Sequence, residues 1–237
     1  MHWDLLISTN LTRWSLAEPA VSAARDERRG MLRMVFHTNV VSYARLTQAQ
    51  LPTIVVGAIA GTTQAGLYKL GMSAAAVVGR LSDPAYVAAV PRLSKLWAAG
   101  ERERILGLVR YASALALGPL VAALALVVLL REPIVELLAG GQAHSAAAVV
   151  ALGASAQAIN GVLFWNMPLL FAANRAAAVA GIALVGVLVQ VVALLTLVPA
   201  LDATGAAVAF LVTQVVANAL ATALAVATVR RLPSSYS

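Results

Sequence analysis

The chain has 237 residues, 61% of them hydrophobic and 11% charged, with a mean hydropathy of +0.84. Soluble domains carry roughly 45–50% apolar and about 25% charged residues, so a water-soluble globule is excluded, and an aromatic share of only 5% argues against the girdled strands of an outer-membrane barrel. The net charge of +7 would suit nucleic acid, but the basic residues sit between apolar runs instead of forming one solvated face, which points to membrane topology and away from a nucleic-acid partner.

Residues 1–33 read as a cytoplasmic leader. Leu5-Leu6-Ile7 is too short for a signal-peptide core, and Arg25-Asp26-Glu27-Arg28-Arg29 is a mixed-charge run suited to a solvated face against anionic headgroups. The glycosylation sequon Asn10-Leu11-Thr12 carries no weight on that side of a membrane. A span needs about 20 mostly apolar residues. Six segments qualify, at about 34–60, 65–90, 105–130, 146–172, 176–199 and 203–229, the first two interrupted by Arg45, Lys69, Arg80 and Asp83. Turn formers and charges separate them at Gly61-Thr62-Thr63, Pro91 to Arg104, Arg131 to Gly141, Asn174-Arg175 and Pro199 to Gly205. The fold predicted is all-α, a polytopic membrane bundle of six transmembrane helices over 34–231, with 232–237 as a short cytoplasmic tail.

Retained loops are rich in Lys and Arg and translocated ones poor. Six spans with both termini cytoplasmic put Arg13, Arg25, Arg28, Arg29 and Arg33 on one side. Arg92, Lys95, Arg102, Arg104, Arg110, Arg175, Arg230 and Arg231 join them, against only Lys69 and Arg131 opposite. Dropping one span would put basic loops on both faces.

An Arg at the bilayer centre costs about 2.5–3.5 kcal/mol, so one kept there is a functional candidate that faces a cavity or a partner. Thr38, Ser42, Arg45 and Gln48 follow one another at helical steps of four and three, which places them on one stripe. Lys69, Ser73, Arg80, Asp83 and Pro84 repeat the device in the second span. Arg80 and Asp83, three apart, are close enough to pair as a structural clamp, the first reading for Arg80, with ligand contact second. Pro84 removes the backbone bond to residue 80, bending the helix there. Arg45 has no nearby carboxylate in sequence, so a functional role comes ahead of snorkelling. Asp83 is also a candidate for proton or cation coupling. Gln157, Asn160, Gln190, Gln214 and Asn218 read as glue between helices. His37 and His144 lack partners at ligand spacing, so no metal site is expected, and with no Cys, no Ser/His dyad and no phosphate-cradling Gly loop, neither a catalytic residue nor a cofactor is expected.

Gly66-Leu67-Tyr68, then Val90-Pro91-Arg92-Leu93-Ser94-Lys95-Leu96-Trp97 followed by Gly100-Glu101, resembles the polysaccharide (O-antigen type) flippases of the multidrug/oligosaccharidyl-lipid/polysaccharide exporter superfamily. Glu132-Pro133-Ile134 with Leu137-Leu138-Ala139-Gly140 is similar to that family's short amphipathic link, and Gly205-Ala206-Ala207 to the entry of its last helix. What is resembled is the second lobe of a two-lobed exporter fold. The resemblance implies a bacterial inner-membrane protein, not an enzyme, that moves an undecaprenyl-diphosphate-linked oligosaccharide from the cytoplasmic to the outer leaflet. Its partners would be membrane lipid, that lipid-linked diphosphate, and a further six-helix lobe supplied by a separate chain, a second copy or a longer reading frame. Guanidinium groups bind phosphate oxygens in bidentate fashion, so Arg45 is the first candidate for the diphosphate, then Arg80 and Lys69, with Gln48, Ser42 and Ser73 beside them. The alternatives are a cation-coupled multidrug-type exporter built around Asp83, a non-transporting membrane scaffold subunit whose charges clamp helices, and a membrane-embedded glycosyl or acyl transferase.

Overall fold

The computed structural model describes residues 3–139 and 143–232, with side chains over 28, 30–136 and 146–232. The sequon at 10–12, the charged run at 25–29 apart from Arg28, and His144 lie outside the described side chains, and 233–237 outside the described chain. Among the described residues the fold is all-α: α1 (Trp3–Ile59), α2 (Thr62–Arg80), α3 (Asp83–Ala98), α4 (Arg102–Leu129), α5 (Arg131–Ala139), α6 (Ala143–Val162), α7 (Asn166–Ala172) and α8 (Ala176–Arg230).

The helices end where local chemistry requires it. Gly61, at φ +91°, turns α1 into α2 through a conformation that only glycine adopts freely. Gly100 (φ +70°) follows the last turn of α3, and the N–H groups of Glu101 and Gly100 return to the carbonyls of Leu96 and Trp97 at 3.1 and 3.0 Å. Asn174 (φ 55°) closes α7 in the same way, with Arg175 N–H on Leu170 and Asn174 N–H on Phe171. Both are left-handed helix stops that satisfy carbonyls otherwise left open.

The 55 residues of α8 would extend ~80 Å if straight. They do not run straight, because Asp202 leaves helical geometry at φ 49°, ψ −131°. Beyond it the backbone of Gly205 lies directly against that of Leu197, and Gly186 faces Thr213. Contacts between positions so far apart require reversal, so α8 is a hairpin of two antiparallel arms, 176–201 and 203–230.

Small residues set the remaining contacts. A Cβ on Gly71 would lie 2.7 Å from Val149 Cγ1, one on Gly153 2.9 Å from Ala75 Cβ, and one on Gly79 2.9 Å from Gln157 Oε1. These pairs advance in the same sense along both chains, so α2 and α6 are parallel, held by the small-residue spacing that lets helices approach closely. Across α4, Ser113 lies beside Trp165 and Leu120 beside Gly161, so α4 runs antiparallel to α6. In α1, Gln48 meets Ala183 while Val56 shares a cluster with Leu194 and Val198, which makes α1 parallel to the first arm. Asn160 with Asn218 and Asn166 with Thr222 make α6–α7 parallel to the second arm. The long segments therefore alternate in direction along the chain.

One end of the bundle is built on Leu93, Ile105, Leu170, Val179 and Val229, the other on Val56, Tyr68, Val149, Val198 and Ala203. Arg92, Lys95, Arg102, Arg104, Arg175, Arg230 and Arg231 belong to the first end by their place in these helices, and Lys69 and Arg131 to the other.

Among the described residues three stretches are long and apolar enough to cross a membrane: Arg102–Leu129, Ala146–Ala172 and Ala176–Arg230. In α4 only Ile105 and Leu120 are buried, while Leu115, Leu117, Val121, Leu126 and Leu129 face outward. The first arm likewise turns Leu184, Leu188, Val192 and Leu195 outward. So continuous an apolar exterior exceeds what water tolerates on a monomer and is compatible with a membrane protein.

Candidate functional site

Two helices break at the same level. The 65–90 segment, read from the sequence as one bent span, is carried by α2 and α3, separated at Leu81-Ser82. Pro84 cannot donate into a continuing helix but suits the first turn of a new one, so α3 starts there. Ser82 satisfies the end of α2, its N–H and Oγ both donating to the Gly79 carbonyl, at 3.1 and 2.7 Å. The 146–172 segment breaks at 163–165, with Pro168 in the first turn of α7. Trp165 Nε1 donates to Ser113 Oγ at 3.0 Å and Ser113 to the Val162 carbonyl at 3.2 Å, which pins this second break to α4.

Because α2 and α6 run parallel and break together, their interruptions open one shared space of about 510 Å³. Arg45 and Gln48 enter it from α1, Arg80, Ser82 and Asp83 from the first break, Phe164 and Asn166 from the second, and Gln214 and Asn218 from the second arm of α8. Ser42, Lys69 and Ser73 lie outside it. Ser42 donates to the Thr38 carbonyl at 3.0 Å and Ser73 to the Lys69 carbonyl at 2.8 Å, each spent on its own helix. Lys69 is exposed. It lies eleven residues before Arg80, ~16 Å along the helix, so a shared stripe does not bring it to the same space.

The pairing of Arg80 with Asp83 does not form. The ion pairs among the described residues are Arg104–Glu101 at 2.8 Å and Arg131–Glu132 at 3.9 Å. Two guanidinium groups and one carboxylate therefore face the cavity without ion-pair partners, and Asp83 rests in the first turn of α3, where the helix dipole favours a negative charge. Asp83→Asn should accordingly leave membrane abundance and melting unchanged to within about 0.5 kcal/mol, as for a substitution away from any packed pair. A loss approaching the roughly 3–5 kcal/mol of a broken buried ion pair, measured by thermal melting in detergent, would restore the clamp.

The amides divide into two groups. Gln190 Nε2 donates to the Gln48 carbonyl at 2.9 Å and Gln48 Nε2 to the Ala183 carbonyl at 3.1 Å, fastening α1 to the first arm. Asn218 donates to Asn160 Oδ1 and Asn166 to Thr222 Oγ1, fastening α6–α7 to the second arm. Gln157 and Gln214 face the cavity and make no side-chain hydrogen bond among the described residues. Asn166, 1% exposed, keeps an Oδ1 without a partner there. Asn166 was not legible as a site residue; Pro168, two residues on, was the available sign that the apolar run breaks beside it. Among the described residues no cluster of His, Asp or Glu is placed to hold a metal ion.

The cavity thus offers two cations, one carboxylate and several carboxamides, within walls that include Phe164, Ile182 and Phe210. Such a set favours an anion with hydroxyl-bearing substituents: guanidinium forks match phosphate oxygens, and carboxamides both donate to and accept from hydroxyls. Comparison with known proteins gives no match to a family model, a curated protein or a solved structure.

Proposed function

We propose that this chain is a membrane bundle crossing the bilayer six times, with both termini cytoplasmic, and that it forms one lobe of a non-enzymatic translocase for undecaprenyl-diphosphate-linked oligosaccharides in the bacterial inner membrane. The observation that carries this reading is the cationic, amide-lined cavity placed where two broken helices meet. Discontinuous helices at mid-depth are how membrane transporters bring polar groups to a substrate without exposing backbone to lipid.

Alternating helix direction supports six crossings, and the gathering of Arg92, Lys95, Arg102, Arg104, Arg175, Arg230 and Arg231 at one end supports the orientation. A diphosphate entering low dielectric needs compensating positive charge, supplied by Arg45 and Arg80, while Gln157 and Gln214 meet the hydroxyls of the adjoining sugar. Translocation then requires a facing lobe, against which this one rocks to open the cavity to each leaflet in turn. Asp83, in the same cavity and without an ion-pair partner among the described residues, gives a second reading, cation-coupled export.

Proteoliposomes loaded with a fluorescent polyprenyl-diphosphate oligosaccharide test the proposal, the chain being reconstituted with its facing lobe. Transfer to the outer leaflet, competed by inorganic diphosphate, is expected. Transfer of lipophilic cations with none of the diphosphate would favour the exporter built around Asp83, and no transfer of either would leave a scaffold.

A further inference from the structure

A proline inside a helix deprives the carbonyl four residues back of its donor, and α1 holds one a turn beyond the cavity-lining Gln48. Pro52, buried, has no N–H to offer the Gln48 carbonyl. A donor from another helix takes that place: Gln190 Nε2, on the first arm of α8, reaches the Gln48 carbonyl at 2.9 Å. Pro91, Pro119 and Pro199 free the carbonyls of Val87, Leu115 and Leu195 in the same way, and none of these three receives a side-chain hydrogen bond among the described residues. Gln190 is 0% exposed, and its Oε1 has no partner among the described residues. The reversed amide would set oxygen against oxygen. A buried acceptor left unmet is costly, and an apolar side chain would pack there without that cost, so the use of this carboxamide lies in its nitrogen.

We infer that Gln190 is a positioning residue for Arg45, standing in for the backbone donor that Pro52 lacks. Val41 and Ala44 pack in the cluster at one end of the bundle and Val56 in the cluster at the other, so the two halves of α1 are held separately and meet at the weakened turn between Gln48 and Pro52. Gln48 itself donates to the Ala183 carbonyl at 3.1 Å, and Gly186, where a Cβ would lie 2.7 Å from Gln48 Nε2, leaves that side chain its room. Ala183, Gly186 and Gln190, at steps of three and four, thus form one stripe of the first arm that grips this turn by main chain and side chain together. Arg45 enters the cavity three residues before Gln48. With the Gln48 carbonyl bonded, the turn is closed and the guanidinium is set toward the cavity it shares with Arg80. With it unbonded, the turn opens at Pro52 and the half bearing Arg45 loses its register. The inference rests on the function proposed above only for the use to which Arg45 is put.

The test is a double-mutant cycle on the detergent-purified full chain, because Pro52→Ala returns a backbone donor to the Gln48 carbonyl and makes the Gln190 amide redundant. Gln190→Met nearly keeps the volume and removes the donor. It is expected to weaken inorganic diphosphate about tenfold and to speed amide exchange over residues 49–56 by about the same factor, with exchange in α4 and α6 unchanged. In the Pro52→Ala background the same substitution should change both by less than about twofold. A side chain that merely packs between helices would cost as much in either background. That result would overturn the inference, as would a Gln190→Met protein in which exchange does not move. Gln190→Asn, whose shorter amide falls short of the carbonyl, takes the place of the Met variant if that one does not fold. Absence of diphosphate binding in the parent chain itself would remove the cavity reading. The exchange cycle then decides alone, its suppression by Pro52→Ala upholding the role of Gln190 at this turn and equal losses in both backgrounds overturning it.

Discussion

Replacing Arg45 and Arg80 together with alanine is expected to abolish diphosphate binding and translocation while the protein still inserts and folds. Neither guanidinium has an ion-pair partner among the described residues, so removing them strands no buried carboxylate. A charge-assisted hydrogen bond contributes about 2 kcal/mol, which makes the Arg45→Ala variant alone about thirtyfold weaker for diphosphate. Arg80→Ala should behave similarly. Arg45→Lys keeps the charge but loses the bidentate fork and should recover only part of the affinity. Isothermal titration with inorganic diphosphate reads binding, and the proteoliposome assay reads transfer. A double variant that transfers glycan at the normal rate would show that the two cations only anchor helices.

The largest effect on stability is expected at the turn of α8. A Cβ on Gly205 would overlap the Leu197 carbonyl oxygen and lie 2.6 Å from its carbon, and backbone atoms at a hairpin cannot rotate aside as a side chain does. Gly205→Val must push the two arms apart. This disturbs the cluster of Leu194, Val198, Ala203 and Ala206 at that end of the bundle, at a cost of about 3 kcal/mol. Abundance and melting temperature should both fall. Gly118→Ala in α4 is the control, because nothing lies within 4 Å of its added methyl and no loss is expected. Equal melting of the two variants would mean that the arms do not meet as described.

The helical segments were legible because each rests on a signal local in sequence: long apolar runs, then Gly61, Gly100, Asn174 or the Pro199–Gly205 stretch to end them. Arg45 and Gln48 were legible as neighbours because they share one unbroken helix, α1. The second stripe was read as though its helix continued. Pro84 was visible as a bend, but not that α2 ends at Arg80 and α3 begins at Asp83 with no ion pair between them, while Lys69 is kept from both by its distance along α2. The break at 163–165 was hidden inside an apolar run, where the signal was Pro168 rather than a change in hydropathy. The amides were legible as polar groups within apolar segments, but not as members of one cavity. Whether Gln157 fastens helices or faces an opening depends on the level at which α6 passes α2, which is set by Gly71, Ala75 and Gly153 in contact rather than by any local pattern.

Solvent access at position 45 is the most direct measurement. The chain has no cysteine, so Arg45→Cys and Leu188→Cys each provide a single thiol, one at the cavity and one on the apolar exterior. In reconstituted vesicles a charged, membrane-impermeant methanethiosulfonate should modify the thiol at position 45 rapidly, with protection by added diphosphate, and leave the thiol at position 188 untouched. A thiol at position 45 as inert as the one at 188, in protein that melts normally, would contradict a water-accessible cationic pocket at this face of the chain.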